Sequence, residues 1–294
     1  MKARPHPGAR DWLTGARPWS LPASAAPVVV GCGVAIGDSS FSWPRAVLAL
    51  VVALALQVGV NYANDYSDGV RGTDAVRLGP PRLVSSGAAH PAAVRRAATL
   101  AFAVACGAGL VLAALSSWWL VAVGAVAVVA AWTYTGGPLP YGYRALGELS
   151  VLVFFGLVPV VGTAYAQTGR IEGVAVIGGL ATGFLACAIL VVNNLRDIPT
   201  DTVTGKRTLA VLLGDASTRR LYVLLVLAPL LLAAASAAAR PWALLALLSA
   251  PGWLAPVRRV LGGAQQMQLV PALVRTTRLE LGFAFLLAAG LAVG

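Results

Sequence analysis

The segment NYANDYSDGVRGTD, residues 61–74, interrupts an otherwise apolar sequence with polar and acidic side chains, and NNLRDIPTDTVTGKRT, residues 193–208, does so again. The first contains Asn61, Asn64, Asp65, Asp68 and Asp74, and the second contains Asn193, Asn194, Asp197 and Asp201. Together they hold five of the eleven carboxylates in the chain. Acids three or four residues apart share one face of a helix, where like charges repel by about 0.2–0.5 kcal/mol per pair. The pattern therefore indicates oxygen-rich sites for a hard divalent cation, and Mg²⁺ is the expected ion.

The composition around these segments is that of an integral membrane protein. The 294 residues are 58% hydrophobic and 11% charged, with a mean hydropathy of +0.79, whereas about 25% of residues are charged in soluble proteins. Apolar segments of about 15 to 24 residues recur, and about 20 helical residues span the hydrocarbon core. An alternative of eight spans stays open, because Pro22 and Pro27 interrupt the first apolar segment and the last is short. The sequence predicts an all-α protein with about nine spans, near residues 20–37, 44–60, 92–114, 117–135, 146–166, 172–195, 218–238, 241–261 and 279–294.

The basic residues predict how these helices are oriented. Nineteen of the 22 Lys and Arg residues flank one set of span ends, whereas Arg45, Arg170 and Arg240 flank the other. Because Lys and Arg are enriched in cytoplasmic loops, the N-terminus and both acidic clusters are predicted to be cytoplasmic. Residues 1–18 lack a signal-peptide core and are predicted to form a cytoplasmic tail, followed by one membrane domain over residues 19–294.

Other kinds of partner and site are less well supported. The net charge of +11 could suggest nucleic acid, but the basic residues flank spans instead of forming a basic helix or an aromatic-studded sheet. Membrane lipid with anionic headgroups and an anionic substrate are the expected partners. Cys32, Cys106 and Cys187 each lie in an apolar segment, which predicts buried thiols and no disulfide or metal site.

Basic side chains accompany both acidic clusters: Arg71, Arg77 and Arg82 follow the first, and Arg196, Lys206 and Arg207 surround the second. Mg²⁺ usually meets proteins through a few carboxylates plus substrate phosphates, so acids and bases together predict a diphosphate held between the two clusters. Helix capping by Asp and Asn is the alternative, but capping needs one residue per helix end and not a repeated pair. The candidate diphosphate-binding residues are Asn64, Arg71, Arg82, Asn194, Lys206 and Arg207.

A third polar segment, YTGGPLPYGYR at residues 134–144, combines a Gly/Pro turn with three tyrosines and an arginine. One interpretation is a turn whose tyrosines lie at the membrane interface. The other is a pocket for an aromatic acid, formed by Asn61, Tyr134 and Arg144, in which Arg144 pairs with the carboxylate. Phe154 and Phe155 lie nearby in the sequence and could face a carbocation, although packing is the alternative for both.

These motifs resemble those of the UbiA superfamily of intramembrane aromatic prenyltransferases. The superfamily pattern Asn-Asp-x-x-Asp corresponds to Asn64, Asp65 and Asp68, and its Asp-x-x-x-Asp pattern corresponds to Asp197 and Asp201. The three segments at 61–74, 134–144 and 193–208 resemble the 1,4-dihydroxy-2-naphthoate polyprenyltransferase branch. One departure is that Asp74 follows Asp68 by six residues, whereas many members have an acid four residues on, where this chain has Gly72.

The resemblance implies a nine-helix bundle around a central cavity open to lipid, in a bacterial cell membrane. It implies that Mg²⁺ is the cofactor and that polyprenyl diphosphate and 1,4-dihydroxy-2-naphthoate are the substrates, with loss of CO2 and diphosphate to give demethylmenaquinone. Another acceptor, such as 4-hydroxybenzoate, stays open, and so does an ion-coupled transporter with acids at broken helices. The metal ligands it implies are Asp65, Asp68, Asp197 and Asp201, and the catalytic residues are these four together with Asp74.

Overall fold

The computed structural model describes residues 7–73 and 82–293, which fold as a bundle of long helices. A π-helical turn, Val153–Leu157, joins α6 and α7 into one segment. Short 3-10 helices occur at Pro18–Ser20, Tyr141–Tyr143, Pro241–Ser249 and Gln266–Leu269. The α-helices are α1 Ala9–Ala16, α2 Leu21–Gly37, α3 Trp43–Arg71, α4 Pro91–Leu115, α5 Trp119–Thr133, α6 Gly147–Leu152, α7 Val158–Thr168, α8 Gly173–Thr204, α9 Leu209–Ser236, α10 Ala250–Leu261 and α11 Val270–Val293.

Eight segments of the described chain are long and apolar enough to cross a membrane, and α5 is a shorter apolar helix. These nine match the predicted spans one for one, so the all-α membrane fold is confirmed. In the bundle, α3 packs against α4, α8 against α9, and α11 against α2. The largest buried apolar cluster contains residues of α2, α7, α8, α9, α10 and α11. A second contains residues of α1, α3 and α4.

Two helices continue well past the ends predicted for them. The sequence predicted spans ending near residues 60 and 195, but α3 runs to Arg71 and α8 runs to Thr204. Each helix ends only at a glycine in the left-handed region, Gly72 at φ 75° and Gly205 at φ 74°, which is a conformation that favours glycine. The loss of hydropathy marks where the apolar surface ends and not where the helix ends. The described residues of the two acidic clusters, 61–68 and 193–201, therefore lie on helices.

The two ends of the chain also differ from the prediction. Within the predicted tail, α1 forms a helix that is tied to α3 by a hydrogen bond of 2.9 Å from the Tyr62 hydroxyl to the Trp12 carbonyl. At the other end, α11 begins at Val270 and not near residue 279. Its first turns contain buried Thr276, Thr277 and Glu280. These polar residues lower the hydropathy although they face the interior, so the apolar pattern placed the start too late.

An ion-pair cluster joins three turns at the end of the bundle away from the acidic clusters. Asp38, at the C-terminus of α2, accepts hydrogen bonds of 2.5 Å from both Arg170 and Arg240. Arg45 donates to the Gln167 carbonyl close by. The three basic residues predicted to lie opposite the other nineteen thus share one end of the bundle.

Candidate functional site

The two acidic clusters meet through Asp68 and Lys206. Asp68 lies near the end of α3 and is 3% exposed, and Lys206 lies just beyond the glycine that ends α8. The Lys206 ammonium is 3.4 Å from Asp68 Oδ2, and Arg82 Nη1 is 3.6 Å from the same oxygen. Residues from both polar segments therefore lie together, and the structure brings two of the predicted diphosphate-binding cations to one carboxylate.

Tyr143 completes this group of charges. Its hydroxyl donates a short hydrogen bond to Asp68 Oδ1, and the Lys206 ammonium lies 4.7 Å from the centre of its ring, within the range of a cation–π contact. Burial and the negative charge of Asp68 raise the pKa of Tyr143 well above its usual value of about 10. The phenol therefore stays protonated and acts as a donor. The sequence predicts a turn at Tyr143 and no catalytic or binding role, because its position between Gly142 and Arg144 gives no signal of this contact.

Asp65 has different partners although it is only three residues from Asp68. Its two carboxylate oxygens accept hydrogen bonds from the backbone amides of Leu83, at 2.8 Å, and Val84, at 3.0 Å. Asp65 is 1% exposed. Its carboxylate thus holds the chain segment that returns toward α4, whereas Asp68 contacts cations.

The second cluster carries its own cation. Arg196 binds Asp197 through two hydrogen bonds, Nε to Oδ1 at 2.7 Å and Nη2 to Oδ2 at 2.6 Å. Arg196 Nη2 also donates to Asn193 Oδ1 at 2.9 Å. Asp201 lies about one helical turn beyond Asp197 and is partly buried.

Asn194, a predicted diphosphate ligand, faces another neighbour. Its amide donates to Glu148 Oε1 at 3.0 Å. Glu148 lies at the start of α6, so this contact joins the end of α8 to the segment that follows the Gly/Pro turn.

The oxygen ligands present suit a hard divalent ion, although they do not converge. Asp68, Asp197 and Asp201 offer carboxylate oxygens, which Mg²⁺ prefers. Within residues 7–73 and 82–293, however, no three His, Cys, Asp or Glu side chains are grouped closely enough to hold a metal ion. Asp68 and Asp197 are instead neutralised by Lys206, Arg82 and Arg196. A metal-bound diphosphate would supply positive charge to the carboxylates and negative charge to the cations. Each cation could then exchange its carboxylate for a phosphate oxygen.

The other predicted diphosphate ligands on α3 contact the third polar segment. Arg71 donates short hydrogen bonds to the carbonyls of Thr135 and Gly137. Asn64 accepts a hydrogen bond of 2.6 Å from the Thr135 hydroxyl. The turn after α5 is therefore attached to the end of α3.

Arg144 and Arg207 meet through their backbones. The Arg207 amide donates to the Tyr143 carbonyl at 3.0 Å, and residues 144 and 207 form an isolated parallel bridge. The side chains of both arginines are exposed. Asp74 and Arg77 lie outside the described residues.

An apolar cavity of about 560 Å³ lies next to these segments, among α2 to α7. Polar groups at its lining include Asn61, Asn64, Tyr134 and Tyr141. Of these, Asn61 already donates to the Ala16 carbonyl, at 2.9 Å, and to the Ser20 hydroxyl, at 3.1 Å, and thereby ties α3 to the N-terminal segment. Tyr134, another member of the predicted aromatic pocket, also lines the cavity. Unlike Asn61, it is not part of the contact that ties α3 to the N-terminal segment.

The π-helical turn shapes the other wall of the cavity. Phe154 and Phe155, which are consecutive in sequence, both line it, and a π-turn is a frequent feature of functional sites. Trp132 of α5 is not among the residues that line the cavity. Its ring packs against those of Tyr66 and Phe102.

Comparison with protein families and curated proteins gives consistent matches. Residues 24–268 match the model of the UbiA prenyltransferase family. Among curated proteins, the 1,4-dihydroxy-2-naphthoate octaprenyltransferase of Mycobacterium tuberculosis is 50% identical over 284 residues, which cover 97% of each chain. The protein of the same name from Escherichia coli is 36% identical over 277 residues, covering 91% of this chain and 90% of the relative.

Solved structures show the same fold at low sequence identity. A UbiA homologue from Archaeoglobus fulgidus, bound to DMAPP and Mg²⁺, aligns with a TM-score of 0.67 at 15% identity and covers 94% of this chain and 99% of its own. The apo structure of a UbiA homologue from Aeropyrum pernix aligns with a TM-score of 0.68 at 17% identity, covering 92% and 96%. These matches establish the bundle architecture.

Proposed function

The chain belongs to the UbiA prenyltransferase family, and from this premise we propose that it transfers a polyprenyl group from polyprenyl diphosphate to 1,4-dihydroxy-2-naphthoate. The reaction releases CO2 and diphosphate and gives demethylmenaquinone in its quinol form. The family predicted from the sequence is confirmed by the match over residues 24–268. The acceptor is proposed from the names of the relatives at 50% and 36% identity.

One observation in the structure carries the mechanism: Asp68, Lys206, Arg82 and Tyr143 form a compact charged group near an apolar cavity. A polyprenyl diphosphate has the same two parts, an anionic head and an apolar tail. The head would lie at the charged group and the tail in the cavity. Catalysis is then mainly placement and charge stabilisation.

Asp68, Asp197 and Asp201 would hold Mg²⁺ at the diphosphate. When bound, the ion neutralises the diphosphate so that it can depart from the allylic carbon. Lys206 and Arg82 would turn from Asp68 to the phosphate oxygens, and Tyr143 would keep its hydrogen bond to Asp68. Asp65 was predicted for the same metal set, but its oxygens are both bonded to backbone amides.

The cavity accounts for the rest of the reaction. Its apolar walls would exclude water from the allylic cation, and the rings of Phe154 and Phe155 border the space where the cation would form. Aromatic faces attract cations most strongly when both are desolvated. The electron-rich ring of the acceptor would enter beside Tyr134 and attack the cation.

The location follows from the same proposal. A multi-pass chain with this charge asymmetry would lie in the bacterial cell membrane with its N-terminus, α1 and the charged group on the cytoplasmic side. Both substrates can reach that side, since the prenyl chain dissolves in lipid and the naphthoate is a soluble anion.

The direct test uses purified protein in lipid nanodiscs with Mg²⁺, a polyprenyl diphosphate and either 1,4-dihydroxy-2-naphthoate or 4-hydroxybenzoate. We expect prenylated, decarboxylated naphthoate by mass spectrometry, with no product after chelation by EDTA or in Asp68→Asn. Product from the benzoate alone would move the protein to another acceptor class. Transport of either anion into proteoliposomes without any prenylated product would instead support a transporter.

A further inference from the structure

The acidic end of α3 carries two stripes of residues with different partners. Asn64 and Asp68, one helical turn apart, face the Gly/Pro turn and the cations. Asn61, Asp65 and Gly69 form the neighbouring stripe at i, i+4 and i+8. This second stripe contacts other parts of the backbone, and Asp65 is its central residue.

Asp65 is bound to the segment formed by residues 82–84. Both of its oxygens accept backbone hydrogen bonds, from Leu83 at 2.8 Å and from Val84 at 3.0 Å. Hydrogen bonds from amides to a carboxylate are stronger than neutral ones. If Asp65 turned toward a metal ion, these two donors would lose their acceptor beside buried Leu83.

Packing fixes the same segment from two further sides. A Cβ at Gly69 would lie 2.5 Å from Val84 Cβ, so only glycine allows Val84 this close to α3. Leu83 is 3% exposed and lies against Gly15 of α1, where a Cβ would be 2.6 Å from its Cδ1. Residues 83 and 84 are therefore packed tightly between α1 and α3.

The packing of residues 83 and 84 sets the position of the preceding residue, Arg82. Its side chain is 9% exposed, and Nη1 lies 3.6 Å from Asp68 Oδ2. We propose that Asp65 is a positioning residue, not a metal ligand: it holds residues 82–84 so that Arg82 reaches the Asp68 site and the diphosphate. The assignment of Arg82 to diphosphate rests on the proposed function, whereas the contact of Asp65 with residues 83 and 84 does not.

Hydrogen–deuterium exchange tests the positioning role without substrate or metal. In Asp65→Ala we expect amide exchange in the peptide containing Leu83 and Val84 to rise about tenfold or more, with a smaller rise in Asp65→Asn, which keeps one acceptor. Gly69→Ala should raise exchange in the same peptide, because it displaces Val84 without removing a charge. Asn64→Ala, a neighbour on the other stripe, is the matched control and should leave that peptide protected.

Metal binding and kinetics separate the two possible roles of Asp65. Mn²⁺ alone, followed by EPR, should bind Asp65→Asn as tightly as the wild type and Asp68→Asn about tenfold more weakly or worse. Asp65→Asn should raise the KM for polyprenyl diphosphate, and Arg82→Ala should do the same. Because one residue acts through the other, the double variant should be no worse than Arg82→Ala alone.

Two results would overturn the proposal. One is unchanged exchange at Leu83 and Val84 in Asp65→Ala. The other is a loss of Mn²⁺ affinity in Asp65→Asn as large as in Asp68→Asn. A protein that lacked prenyl transfer altogether would still give the exchange result, so failure of the proposed function and failure of this inference are distinguishable.

Discussion

The Lys206 ammonium lies 3.4 Å from Asp68 Oδ2, although 138 residues of sequence separate the two side chains. Lys206 follows the end of α8 and Asp68 lies near the end of α3, so this contact defines the relative position of the two acidic clusters. The carboxylate is 4% exposed and the lysine side chain 14% exposed. A buried pair of this kind resists loss of one partner, because the other charge would be left unpaired. The two side chains can separate only when a ligand supplies a positive charge to Asp68 and a negative charge to Lys206.

Lys206→Met should therefore impair use of the prenyl donor. The variant removes the cation from Asp68 and from the proposed diphosphate, and we expect kcat/KM for polyprenyl diphosphate to fall by about 10²-fold. Steady-state kinetics in nanodiscs measure the effect. Arg259→Gln, an exposed arginine on α10, removes one positive charge outside the site and is the control. Equal losses in the two variants would mean that Lys206 acts only through the general positive charge of the surface.

Tyr143→Phe should weaken the site without removing the ring beneath Lys206. The lost hydroxyl donates to Asp68 Oδ1, and a hydrogen bond to a charged group contributes about 1.5–3 kcal/mol, so we expect kcat/KM to fall by about 10- to 100-fold. Burial and Asp68 raise the pKa of Tyr143, so the folded protein keeps this proton when the unfolded chain has lost it. The bond is fully present below about pH 10 and fails only as the pH rises through the raised pKa.

The ratio of wild-type to Tyr143→Phe activity should accordingly stay constant between about pH 7 and pH 9. A pH–rate profile of both proteins checks this. A ratio that declines toward unity across that range would show that the phenol loses its proton there, contrary to the structure.

The sequence predicted the elements of this site better than their contacts. Apolar segments gave the spans, and the recurrence of Asp65, Asp68, Asp197 and Asp201 at helical spacing gave both clusters. Hydropathy could not place the ends of α3 and α8, because a helix continues through polar residues until a residue such as Gly72 stops it. The split between Asp65 and Asp68 was equally hidden, since it depends on which distant segment returns to each face of α3.

Gly162→Phe should test the proposed prenyl cavity. Gly162 lines the cavity, and a Cβ there meets no other atom within 4 Å, so a larger side chain would fill the cavity with little strain on the fold. We expect kcat/KM for long donors to fall about tenfold or more, with a smaller loss for geranyl diphosphate. Gly107→Phe is the control, because Gly107 lies on an exposed face of α4 with equal space around it. Product analysis by mass spectrometry with each donor gives the result, and equal losses in both variants would contradict a tail in this cavity.

Asp38→Asn should destabilise the protein while leaving its catalytic site untouched. Asp38 joins Arg170 and Arg240 at the other end of the bundle, where Arg240 also donates to the Gly37 carbonyl at 3.0 Å. The hydrogen bond with Glu172, together with the two guanidinium groups, lowers the pKa of Asp38 although burial raises it. A lowered pKa contributes stability that is present above the unfolded value of about 4 and is lost as the pH falls through the folded value. The wild-type melting temperature should therefore drop below about pH 4 more steeply than that of Asp38→Asn, and parallel curves would contradict an ionised Asp38 in this cluster.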